Sequence, residues 1–127
     1  MQYKNILLID DDDGSHEIFL SAVAEISNSA NCVTLSSAID ALQKLDSKNI
    51  TPDVIFVDLN MPVMNGQQFL IEIKKNEMLK NIPVIIFSTS SHPTTISLTK
   101  EFGASDFITK PARYHELVEI LSPMIVS

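Results

Sequence analysis

Five side chains in this sequence have types and positions that together could move a phosphoryl group. Asp10 and Asp11 follow the apolar run Lys4 to Ile9, Asp58 follows Val54 to Val57, Ser88 follows Ile82 to Phe87, and Lys110 follows Ser105 to Thr109. Carboxylates that converge on one point repel each other unless a cation lies among them. All the candidate ligands are oxygen, and oxygen-only sites favour Mg²⁺ or Mn²⁺. With such a cation present, one carboxylate can attack phosphorus as a nucleophile. The metal and a lysine then neutralise charge on the equatorial oxygens of the group in transfer, and a hydroxyl donates to one of them. In this division of work Asp58 attacks, the acid pair binds metal, Lys110 pairs with charge and Ser88 hydrogen-bonds.

The elements that must position these groups are legible around them. The stretch Pro52 to Gly66, PDVIFVDLNMPVMNG, is a β-branched apolar run bounded by turn residues, which reads as a fully buried strand ending at Asp58. Lys4 to Ile9, Cys32 to Leu35, Ile82 to Phe87 and Ser105 to Thr109 are the other strands. Between them lie helical patterns. Ser15 is the expected cap of the first, with Ile18, Phe19, Ala22, Val23 and Ile26 inward. Ser36 or Ser37 starts the second, with Ile39, Leu42 and Leu45 inward. The third runs from Asn65 through Phe69, Leu70 and Ile73, as far as Lys80. The fourth starts at Pro93, carries Ile96, Leu98 and Phe102, and stops at Gly103. The last carries Leu117, Val118, Ile120 and Leu121 and is broken or kinked by Pro123. Five β-α units imply an α/β fold, a doubly wound (βα)5 domain with a five-stranded parallel sheet. In such a sheet ligands bind at the carboxyl ends of the strands, where all five chemical residues fall.

The chain has 127 residues, 45% of them apolar, enough for one domain with a single core. No apolar run is long enough to cross a bilayer, and the N-terminus has no signal-peptide pattern, so no membrane partner and a cytoplasmic location are expected. The lone Cys32 excludes an internal disulfide and a thiolate metal cluster, and its apolar surroundings read as packing. A net charge of −7 argues against nucleic-acid binding, which needs a basic face.

ILLIDD at the first strand end, VDLNMPVMNG around Asp58, PVIIFST ending the fourth strand, and GASDFITKP around Lys110 carry a resemblance. In this order and spacing, with a cis-prone Lys110–Pro111 junction, the chain resembles the response-regulator receiver domain of two-component signalling, a flavodoxin-like fold. The resemblance implies that residues 1–127 are one receiver domain, with no output domain after the last helix. It implies that Asp58 accepts a phosphoryl group from the phosphohistidine of a sensor histidine kinase or histidine phosphotransfer protein. Asp10, Asp11, Asp58 and the backbone carbonyl of Asn60 would hold Mg²⁺, with Asp11 the more direct of the acid pair. Ser88 and Phe107 would be the switch pair, and the face from Pro93 through Leu121 would meet a downstream protein target. Homodimerisation through the last two helices is left open. This chain departs from the commoner pattern with Ser88 for Thr, Thr89 for Ala and Phe107 for Tyr, while Asn60 and Ser90 stand where family members tune hydrolysis.

Other residues have plainer readings. Asp12 and Asp13 suit a solvated loop and the start of a helix. A calcium loop fails, since its first and twelfth positions would be Ile9 and Leu20. His16, His92 and His115 lack metal-ligand spacing and read as surface residues, and Met61 and Met64 read as loop packing. One enzyme alternative exists. Asp11-Asp12-Asp13-Gly14-Ser15 resembles the nucleophile loop of haloacid-dehalogenase-type phosphatases, with Asp11 as nucleophile. It lacks the acidic metal motif after Lys110 and an inserted cap or flap, and it gives Asp58 no task.

Overall fold

A computed structural model describes residues 2–127. The elements alternate as β1 (Asn5–Ile9), α1 (Asp13–Ile26), β2 (Asn31–Leu35), α2 (Ala38–Asp46), β3 (Val54–Val57), α3 (Gly66–Lys74), β4 (Val84–Ser88), α4 (Pro93–Glu101), β5 (Asp106–Thr109) and α5 (Tyr114–Leu121). The five strands form one parallel sheet in the order β2-β1-β3-β4-β5. This is the doubly wound, flavodoxin-like (βα)5 arrangement. The chain winds one way from β1 to β2 and the other way from β3 outward, leaving a crevice above β1 and β3.

Strand alternation sorts the core into two halves. Ile6 and Leu8 of β1, Phe56 of β3 and Ile85 and Phe87 of β4 pack with Phe19, Ala22 and Val23 of α1 and Leu117 and Leu121 of α5. Leu7, Ile9, Ile55, Val57, Val84 and Ile86 pack on the opposite face with α2 and α3. Both faces of β1, β3 and β4 are covered, which is why these strands are continuously apolar. Phe19, Phe56 and Phe87 meet edge to face with centroids 5.1 to 6.2 Å apart, beneath the carboxyl end of the sheet.

Several sequence expectations are corrected. Asp12, not Ser15, caps α1, its carboxylate accepting from the Ser15 backbone N–H at 3.2 Å. Ser15 sits inside the first turn. Ile18 is exposed, as is Ile39; the inward stripe of α2 is Ala38, Ala41 and Leu45, with Leu42 half-buried. The third helix stops at Lys74, well before Lys80. There Asn76 accepts from the Met78 N–H at 2.9 Å, a local turn that competes with the helical ladder. In α4 only Thr99 is buried, while Leu98 and Phe102 face solvent. No cis peptide bond occurs among the described residues, so Lys110–Pro111 is trans. Other signals read as expected: Ser37 caps α2, Asn65 opens α3 with a capping box to Gln68, Pro93 begins α4, and α5 gives way to a 3₁₀ turn, Ser122–Met124, at Pro123.

Candidate functional site

The sheet ladder runs one residue past three strands and so fixes where the site residues begin. The Asp10 N–H donates to the Leu35 carbonyl, Asp58 to Ile9 and Lys110 to Ser88, at 3.0, 3.0 and 2.8 Å. Alternation therefore continues through these positions. Asp10 lies on the face of Leu8, Asp58 on that of Phe56, and Lys110 on that of Ile108, all on the α1/α5 side. Ser88 follows Ile86 onto the α2/α3 side, and so does Phe107, its register partner being Ile86.

The structure brings the acids and the lysine together. Carboxylate oxygens of Asp10, Asp11 and Asp58 lie within 4.8 Å of one another. Lys110 Nζ donates to Asp10 Oδ2 at 2.7 Å and to Asp58 Oδ2 at 3.3 Å. Asp10 is fully buried, Asp58 nearly so, and Asp11 is exposed at the mouth. The second oxygen of Asp10 accepts from the Asp12 N–H at 3.0 Å, and that of Asp58 from the Asn60 N–H at 3.3 Å. Burial works against the Lys110 charge, but hydrogen bonding and attraction from Asp10 and Asp58 outweigh it and hold the ammonium's pKa above its ordinary value. Its head also lies 5.7 Å from the centroid of Phe87.

The turn after Asp58 is built on one glycine. A Cβ on Gly66 would sit 2.4 Å from the Asp58 carbonyl oxygen, so only glycine lets α3 start this close beneath the acid. Ser88 is buried with its hydroxyl accepting from the Ser90 N–H at 3.3 Å. Among the described residues it makes no side-chain hydrogen bond to the acids or to Lys110. Phe107 is half-buried against the α2/α3 core.

The donor set is all carboxylate, three side chains from two strand ends, two of them sharing one lysine. That chemistry suits a hard divalent cation in the space between Asp11 and Asp58, with Lys110 balancing the charge of Asp10.

Together these features define a small α/β domain whose parallel sheet carries an acidic, lysine-clamped cluster at its carboxyl edge. The chain belongs to the response regulator receiver domain family, whose model matches residues 6–122. It is 30% identical over 121 residues to the two-component response regulator ORR8 of Oryza sativa, covering 95% of this chain and 98% of that protein. Its fold is similar to the phosphorylated cyanobacterial phytochrome response regulator RcpA, with a TM-score of 0.86, 29% identity, and 95% and 90% of the two chains covered. The Mn²⁺-bound form of the response regulator Rcp1 gives a TM-score of 0.83 at 26% identity, with 94% and 90% covered. The protein is thus a receiver domain of two-component signalling, a signalling module. The phosphatase alternative is not favoured by this membership. No helix among the described residues is long and apolar enough to cross a membrane.

Three residues at the site escaped sequence reasoning. His16, expected at the surface, is half-buried, and its Nε2 bonds the Asp10 carbonyl oxygen. Ser15 touches Lys110. Phe87 forms the floor beneath the lysine. The signal for the first two was their place one helical turn after Asp11. For Phe87 it was alternation along β4, which puts it on the side of Asp10 and Asp58.

Proposed function

We propose that this protein is a phosphorylation switch in which Asp58 is the phosphoacceptor and a phosphohistidine is the donor. The observation that carries this reading is the single ammonium bridging Asp10 and Asp58 beside the exposed Asp11. An Asp58 carboxylate oxygen attacks phosphorus, the P–N bond breaks, and the donor imidazole leaves with its electron pair. Lys110, already 3.3 Å from Asp58 Oδ2, is within reach of an oxygen of the arriving group. Asp10, Asp11, Asp58 and the backbone carbonyl of Asn60 would hold Mg²⁺, which when bound supplies further neutralisation of phosphoryl charge. The Mn²⁺-bound Rcp1 and the phosphorylated RcpA support a metal and a phosphoryl group at this kind of site. Water attack on phosphorus then breaks its bond to the Asp58 oxygen, releases inorganic phosphate and returns the carboxylate.

The added charge and acceptor oxygens draw the Ser88 hydroxyl across from its own side of the sheet. Phe107, on the same face, turns into the space that Ser88 leaves. The readout is the surface of α4, β5 and α5. Leu98 and Phe102 are exposed on it, and α4 is secured by few buried side chains, which supports an element that shifts. Its partners are a sensor histidine kinase or histidine phosphotransfer protein on the input side and a protein target, or a second copy, on the output side.

Intact mass after incubation with acetyl phosphate and Mg²⁺ tests the reading. One phosphoryl group is expected on the parent and none on Asp58→Asn or in EDTA. An adduct that survives Asp58→Asn but is lost in Asp11→Asn would move the nucleophile to the first loop and overturn it.

A further inference from the structure

The motif Asp11-Asp12-Asp13-Gly14-Ser15 is only partly used by the site above. Asp11 joins the acid cluster and Asp12 caps α1. Ser15, in the first turn of α1, is half-buried and points to the lysine. Its hydroxyl donates to Asp12 Oδ2 at 3.0 Å and accepts from Lys110 Nζ at 3.4 Å. One hydrogen goes to the carboxylate, so the oxygen lone pairs are aimed at the ammonium.

Behind this contact lies a cavity of about 130 Å³ between α1 and α5, lined by Ser15, Ile18, Phe87, Lys110, Arg113 and Leu117. Lysine has a long flexible stem, and the cavity gives this one room to turn away from the acids. Asp10 and Asp58 hold the ammonium at 2.7 and 3.3 Å and the Phe87 ring centroid lies at 5.7 Å, and among the residues lining the cavity Ser15 is the one whose hydroxyl accepts from it, at 3.4 Å.

We propose that Ser15 is a positioning residue for Lys110, its hydroxyl aimed by Asp12 so that the ammonium stays at the junction of Asp10 and Asp58. The inference rests on the reading of Asp58 as phosphoacceptor. In that reading Lys110 acts on the group in transfer, so its placement governs the rate of transfer more than the binding of donor or cation.

The test is the rate of phosphorylation of the whole chain by acetyl phosphate in saturating Mg²⁺, followed by intact mass across donor concentrations. In this reaction the bond between phosphorus and the acetyl oxygen breaks, the bond from phosphorus to Asp58 forms, and acetate leaves with the electron pair. Ser15→Ala keeps the backbone cap from Asp12 and raises helix propensity, so it folds. It is expected to lower the maximal rate about tenfold, the scale of one hydrogen bond to a charged group. The half-saturating donor concentration and the Mg²⁺ affinity of the unphosphorylated protein, measured by calorimetry, should stay within about twofold of the parent. Ser15→Thr keeps the hydroxyl, its methyl can enter the cavity, and the parental rate should return. A parental rate in Ser15→Ala, equal losses in the Ala and Thr variants, or a loss that follows weakened Mg²⁺ binding would each overturn the inference while leaving Asp58 as acceptor. A parent that takes no phosphoryl group on Asp58 would remove the reading beneath it instead.

Discussion

Lys110 Nζ lies 2.7 Å from Asp10 Oδ2, an oxygen of a carboxylate wholly withdrawn from solvent, although the two residues are 100 positions apart in sequence. The pair is the only compensation for Asp10's charge from a cation among the described residues, and Asp58 shares it. Removing the lysine leaves a buried carboxylate facing two others. Lys110→Met should cost about 3 kcal/mol of stability in urea unfolding with EDTA present. The double variant with Asp10→Asn should cost less than the sum of the singles. Strict additivity would mean the contact contributes nothing in solution.

The same crowding of acids predicts how metal removal acts. If Asp10, Asp11 and Asp58 hold Mg²⁺, binding to the folded chain stabilises it by about 2.7 kcal/mol at a hundredfold excess over the dissociation constant. The thermal midpoint should rise with Mg²⁺, fall again with EDTA, and respond far less in Asp11→Asn. An equal rise in parent and variant would place the cation elsewhere.

Gly66 and Asp58 are coupled through the backbone. Gly66→Ala puts a methyl 2.4 Å from the Asp58 carbonyl oxygen and 3.0 Å from the Leu59 Cα, atoms that cannot rotate away. A loss of about 1–3 kcal/mol is expected from such overpacking. Because the atom displaced belongs to the proposed acceptor residue, phosphorylation should slow as well. Urea unfolding and intact-mass kinetics on one preparation read both, and an unperturbed variant in either would show that the turn yields.

Cys32 supplies a pH dependence away from the site. Burial pushes its thiol from an ordinary 9.0 up to about 12. The folded protein keeps a proton that the unfolded chain releases above pH 9. The stability from this group is therefore full below pH 9 and is lost as pH rises towards 12, at about 1.4 kcal/mol per unit. The difference in unfolding free energy between parent and Cys32→Ala should shrink over that range. Native protein should also react slowly with a thiol reagent at pH 8. A constant difference together with rapid labelling would show the thiol to be solvated.

The sequence by itself determined the sheet and which polar side chains reach its carboxyl edge. Continuous β-branched runs such as Val54 to Val57 cannot be satisfied except as strands covered on both faces, and the polar residue that ends each run is delivered to one edge. Hence Asp10, Asp58, Ser88 and Lys110 were legible as a set. Local signals with strong chemistry, the Asn65 capping box and Pro93 at a helix start, were legible too.

What only the tertiary structure decided is how the faces are dealt. Ile18, Ile39, Leu98 and Phe102 have the spacing of inward residues and lie outward, because each helix turns about its axis to seat the side chains that fit its own stretch of sheet. The split of the site is of the same kind. Acids and lysine stand on the α1/α5 side, and Ser88 and Phe107 stand on the other. That division follows from strand register, a long-range pairing that no local pattern encodes. Ser15 and His16 likewise acquired contacts to Lys110 and Asp10 only when the first turn of α1 was packed against strand ends reached from the far end of the chain.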